Sequence, residues 1–128
     1  MTTLRVRRRG PAGKYEIWAR YRDPQRWADW APHIREVRAD GPLRPGLEGE
    51  VIGILGVSAR FEVLDVDEQA GRWTWVVRSG PISIRIEHEV ADGLAGLVLT
   101  GPAAAVAAYA PVARAALAKL VASDRPRA

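Results

Sequence analysis

Residues 82–120 read ISIRIEHEVADGLAGLVLTGPAAAVAAYAPVARAALAKL, and within them the hydrophobic period changes from two to about 3.6. Ile82, Ile84, Ile86, His88 and Val90 alternate with Ser83, Arg85, Glu87 and Glu89, which predicts a strand with one apolar face. Asp92-Gly93 suits a tight two-residue turn, so Leu94 to Thr100 should return antiparallel. Gly101-Pro102 then ends the strand, and the Ala-rich run to about Ser123 has strong helix propensity. Val106, Tyr109, Ala113, Leu117, Leu120 and Val121 fall on one side of that helix, so that side needs a cover. Pro111 lies inside it, should free the carbonyl near Ala107 and predicts a bent axis.

Upstream, the same alternation marks strands at Ile34 to Ala39, Glu50 to Leu55, Ala59 to Val66 and Arg72 to Arg78. The breaks at Gly41-Pro42, Gly56, Gln69 to Gly71 and Gly80-Pro81 are too short for crossover helices, so neighbouring strands should be antiparallel. Gly53 and Gly56 suggest a bulge or tight bend. Leu4 to Arg9 alternates as a first strand, stopped by Gly10-Pro11. Ala12 to Arg22 places Tyr15, Trp18 and Tyr21 on one helical stripe, with Ala19 beside them. Asp23-Pro24 starts a second short helix carrying Trp27 and Trp30 on one face, and Pro32 ends it. The order is strand, two short helices, six strands, one long helix. A curved seven-stranded antiparallel sheet can bury its face and that of the helix by gripping the helix, an α+β arrangement in a single domain, residues 1–128.

Composition narrows the chemistry. With 128 residues, 48% hydrophobic and 27% charged, the chain is a globular domain rather than a disordered or fibrous one. No cysteine means no disulfide, thiolate nucleophile or Cys-based zinc site, and two histidines with scattered carboxylates make no metal cage. No cofactor is called for, because no Gly-rich strand-to-helix turn for phosphate and no GxSxG elbow is present. The net charge of +4 invites nucleic acid, yet only Arg5, Arg7, Arg8 and Arg9 cluster. That run reads more simply as an edge strand with a charged face. No stretch approaches the roughly 20 apolar residues of a bilayer span, and the N-terminus lacks a signal peptide's apolar core, so a cytoplasmic location is expected.

The segments IWARYRDPQRWADWAPHI (17–34), RFEVLDVDEQAGRWTWVV (60–77), IEHEV (86–90) and AYAPVARAALAKL (108–120) resemble the START-like, or Bet v 1-like, helix-grip superfamily. Within it the closest likeness is to the polyketide cyclase/dehydrase and lipid-transport branch. The resemblance runs across nearly the whole chain. It implies a cavity between the concave face of the sheet and the long helix, open near the two short helices. It does not fix a function, because this fold carries ligand carriers, cyclases and dehydratases alike.

Several side chains should face that cavity. Trp73, Trp75 and Val77 share the inward face of their strand, with Arg72, Thr74 and Arg78 turned to water. The tryptophans serve as core filling or ligand contact. His88 is the titratable member of an inward apolar row, so it is either a proton-transfer group or a core histidine bonded to backbone or a tyrosine. Tyr109 points from the long helix, where its hydroxyl could meet His88 or a ligand carbonyl. Trp30 lies beside the expected mouth, and His33 follows at the rim as a loop histidine. The expected ligand wall is thus Trp30, His33, Phe61, Trp73, Trp75, Ile84, Ile86, Val106 and Ala113, with His88 and Tyr109 as candidate catalytic groups. The reading favoured is a binding protein for a hydrophobic small molecule: a polyketide, aromatic or lipid-like compound. The alternatives are a polyketide cyclase or dehydratase using His88 as acid and base, and a protein-interaction adaptor. Nucleic acid ranks last, and a homodimer is compatible with all of these.

Overall fold

Short turns between alternating segments leave no room for crossovers, and the chain forms one antiparallel sheet. A computed structural model describes residues 1–53 and 56–122. Its strands are β1 (Thr2–Arg9), β2 (Ile34–Ala39), β3 (Glu48–Gly53), β4 (Ser58–Asp67), β5 (Arg72–Ser79), β6 (Ile82–Ala91) and β7 (Leu94–Gly101). They are ordered β1-β7-β6-β5-β4-β3-β2, with β1 and β2 at the edges. The helices are α1 (Lys14–Arg22), a single turn α2 (Trp27–Trp30) and α3 (Ala103–Leu120). The Asp92-Gly93 turn closes β6 onto β7, with Gly93 at φ +69°, a conformation that only glycine adopts readily.

α3 packs mainly on β1 and β7, burying Val106, Ala110, Ala113, Ala116, Leu117 and Leu120. Its last turn is held from two sides. A Cβ on Gly10 would collide with the Val121 carbonyl, which accepts from the Ala12 N–H at 2.9 Å. From α1, Arg20 Nη1 donates to the carbonyls of Leu120 and Ala122, the latter at 2.7 Å, and reaches that of Lys119 at 3.4 Å. The Leu120 carbonyl is one that a helix end leaves without an intrahelical partner, so one guanidinium both caps α3 and ties it to α1.

Some expectations are corrected by the structure. α1 begins at Lys14, and its buried stripe is Ile17, Trp18 and Tyr21. Tyr15 is 78% exposed, with the Arg22 guanidinium 5.6 Å from its ring centre. The second helix is a 3-10 turn at Pro24–Arg26 followed by one α-turn, because Asp23 caps the turn through Gln25 N–H and Pro32 follows closely. β1 and β3 each begin two residues earlier than expected, at Thr2 and Glu48, and residues 54–55 at the expected end of β3 lie outside the described residues. Ile82, at the end of the inward row, is 45% exposed. Thr74 is buried, contrary to its water-facing place in the alternation, between its ladder partners Asp65 and Glu87. By length and composition alone α3 is apolar enough to cross a bilayer, contrary to the sequence expectation, yet its apolar side packs on the sheet. The helix also runs unbroken through Pro111. On β1, Arg7 pairs with Glu89 of β6 at 2.6 Å, as a charged cross-strand face would.

Candidate functional site

The concave face of the sheet, α3 and the two short helices enclose a hollow of about 260 Å³. Period-two alternation on β5 and β6 sends Trp73, Trp75, Ile84, Ile86 and His88 to the same side, and helical spacing brings Tyr109 and Ala113 over them. Trp30 and His33 complete that part of the wall. Of the expected wall residues, two stand apart. Phe61 is buried beneath Trp27 and Trp75, at ring-centre distances of 5.8 and 5.0 Å, and Val106 packs in the core under α3. Neither lines the hollow: the rings of Trp27 and Trp75 pack against Phe61, and Val106 is part of the core cluster.

Trp73 and His88 are paired across β5 and β6, and their rings lie parallel at 3.5 Å. His88 Nδ1 is 3.0 Å from the Trp73 carbonyl. A carbonyl only accepts, so Nδ1 carries the proton and Nε2 the lone pair. The imidazole is 5% exposed, and burial pushes its pKa down from 6.5 to about 3, against weak opposition from the carbonyls of Trp73 and Ile86. It is therefore a neutral ring at working pH.

The tyrosine beside His88 is Tyr21 of α1, with ring centres 5.5 Å apart and planes at 81°. The ring of Tyr109, one of whose two expected roles was to pair with His88, meets His33 edge-on at 5.9 Å. α3 packs mainly on β1 and β7 and less on β6, the strand that carries His88. Burial raises both phenols, Tyr109 to about 12 and Tyr21 further, so both keep their protons. His33 is half-buried rather than a free loop residue, and burial lowers its pKa as well.

The remaining polar atoms are mostly donors. Trp27 Nε1 gives its proton to the Tyr21 carbonyl at 3.0 Å. Trp30, Trp73 and Trp75 line the hollow, and their Nε1 atoms, like His33 Nδ1, are themselves buried with no protein partner among the described residues. No Asp, Glu, Lys or Arg stands among the described lining residues. Tyr21, Val51, Val57, Ala59, Leu97 and Leu117 are wall residues that sequence reasoning did not assign. Leu97 was accessible in principle, since counting back from Asp92-Gly93 places it opposite His88.

A family model described as polyketide cyclase / dehydrase and lipid transport matches residues 1–125. No curated protein matches the chain. Among solved structures, XoxI from Bacillus cereus is similar at TM-score 0.75 and 12% identity, over 94% of this chain and 93% of that one. Protein CV1439 from Chromobacterium violaceum is similar at 0.68 and 17%, over 93% and 94%. Ara h 8.0201 is similar at 0.69 and 13%, over 94% and 95%. Likenesses at these identities establish the helix-grip fold.

Proposed function

The chain belongs to the polyketide cyclase/dehydrase and lipid transport family, and from that premise we propose that it binds a hydrophobic small molecule between the sheet and α3. The observation that carries the reading is the uncharged aromatic and aliphatic wall around about 260 Å³. That volume lies just below the roughly 300–1,000 Å³ of sites for drug-sized ligands, which favours a compact polyketide or aromatic guest over a long acyl chain. Native mass spectrometry with added N-phenyl-1-naphthylamine tests it. A one-to-one complex with enhanced dye fluorescence is expected, and no uptake of the dye at tens of micromolar refutes it.

Proton transfer by His88 is the weaker reading. A general base works best with a pKa near the operating pH, and burial with a fixed Nδ1–H tautomer takes His88 far below it. The geometry suits a neutral Nε2 that accepts one hydrogen bond from a guest. A His88→Gln variant that loses turnover of a polycarbonyl substrate while still binding the dye would reverse this ranking.

A further inference from the structure

The polar atoms around the hollow fall into two groups, those sealed in protein and those that keep some surface. The Nε1 atoms of Trp30, Trp73 and Trp75 and the Nδ1 of His33 are sealed, so they offer a guest nothing. The hydroxyls of Tyr21 and Tyr109 and the Nε2 atoms of His33 and His88 make no hydrogen bond among the described residues, yet they are not among the sealed atoms. Tyr21 is only 2% exposed and His88 5%, and both line the hollow, so the surface that these two atoms keep belongs to it. Three of the four open atoms adapt to what they meet. A protonated phenol turns to donate or accept, and no hydrogen bond among the described residues fixes the tautomer of His33. His88 does not adapt. Its single proton sits on Nδ1, given to the Trp73 carbonyl at 3.0 Å, so Nε2 accepts and does nothing else. The Trp73 ring stacked at 3.5 Å and the Tyr21 ring at 5.5 Å hold the imidazole in that orientation.

We infer that the guest is a neutral hydroxyaromatic molecule whose phenolic O–H donates to His88 Nε2. This rests on the binding reading above and names the polar group that the same site selects. An ether or ketone of similar shape brings a lone pair to a lone pair, and a hydrocarbon brings nothing, so either would strip Nε2 of water and leave it unmet. A carboxylate also lacks the proton, and no cation among the described wall residues offsets the loss of its hydration. A phenol is a better donor than an aliphatic alcohol. Its flat ring also suits a wall panelled with Trp27, Trp73 and Trp75.

Three 2-substituted naphthalenes separate these cases: 2-naphthol, 2-methoxynaphthalene and 2-ethylnaphthalene, titrated into the whole chain near pH 7 by calorimetry. At that pH the naphthol keeps its proton, since phenols ionise near about 10. It should bind about three- to tenfold more tightly than the ether or the hydrocarbon, the worth of one neutral hydrogen bond. In ¹⁵N spectra the unprotonated Nε2 of His88 should move upfield with the naphthol and stay near its free position with the ether. His88→Phe keeps a ring against Trp73 but has no acceptor, so the ratio of naphthol to ether affinity should fall to about one. If that variant does not fold, the spectra of the unaltered chain decide the matter. An ether or hydrocarbon bound as tightly as the naphthol, a ratio unchanged in His88→Phe, or a stationary Nε2 peak overturns the inference and leaves the binding reading intact. Failure of all three compounds together with N-phenyl-1-naphthylamine overturns both.

Discussion

Acidification from about pH 7.5 to about pH 5 should remove about 2 kcal/mol of stability through His88 alone. The folded imidazole protonates only near pH 3, whereas the unfolded one does so near 6.5. As the pH falls through 6.5 the unfolded chain therefore takes up a proton that the native chain refuses, and stability drops. It is complete above 6.5, falls by about 1.4 kcal/mol per pH unit within the interval, and levels off near 3. Over the whole interval the loss reaches about 5 kcal/mol, comparable to the entire stability of a marginal domain. The rings of Trp73, Trp75 and Tyr21 surround His88, and no carboxylate among the described residues is recorded against it to restore the charged form. His33 is lowered in the same direction and adds to the loss, while Glu68, held low by Arg22, acts only below the ordinary carboxylate range. Urea unfolding followed by tryptophan fluorescence at half-unit pH steps measures the slope. Imidazole ¹⁵N shifts assign it, since His88 should stay neutral with a protonated Nδ1 down to about pH 5. A His88 resonance titrating near pH 6, or a flat stability between pH 7.5 and 5, would refute the reasoning.

Arg20→Met should destabilise by about 1–3 kcal/mol in urea melts, because the terminal carbonyls of α3 lose a charged donor, and an unchanged midpoint would show that water replaces it. Gly93→Ala forces a side chain into φ +69° and should lower stability by roughly 1–2 kcal/mol in the same melts. Leu99→Ala, fully buried beneath α3 on β7, should lower stability by roughly 2–5 kcal/mol, and a value under 1 kcal/mol would mean that this part of the core is loose. Ala113→Leu extends an α3 side chain into the hollow and should weaken N-phenyl-1-naphthylamine binding at least about tenfold while the chain still unfolds cooperatively. Undiminished dye affinity would place the dye elsewhere.

The sheet was legible because its faces alternate and its turns carry glycines at positions that demand them, as at Gly93. The inward direction of His88, Trp73 and Trp75 followed from period two alone. What the sequence withheld depends on distances between elements. Tyr15 and Ile17 are both plausible members of a helical stripe, and only the start of α1 at Lys14 decides between them. Which tyrosine meets His88 depends on where α3 crosses the sheet, and no local pattern encodes that. Phe61 faces inward like Trp75, yet Trp27 covers it from the far side of the chain. The unpartnered indoles were equally invisible, since satisfaction of a donor is a property of the assembled neighbours.

Because α3 crosses over β1 and β7 and the single-turn α2 sits nearer β2, the interior is not uniform from end to end. One end is padded with Leu97, Ala113 and Leu117, and the other is panelled with Trp27, Trp73 and Trp75. A guest with an alkyl end and a conjugated end would thus be sorted as it enters, its polarizable part laid against the indoles and its saturated part beneath the helix. The chamber would fix orientation as well as occupancy, and mirror-related or reversed poses of an elongated compound would not be equivalent within it.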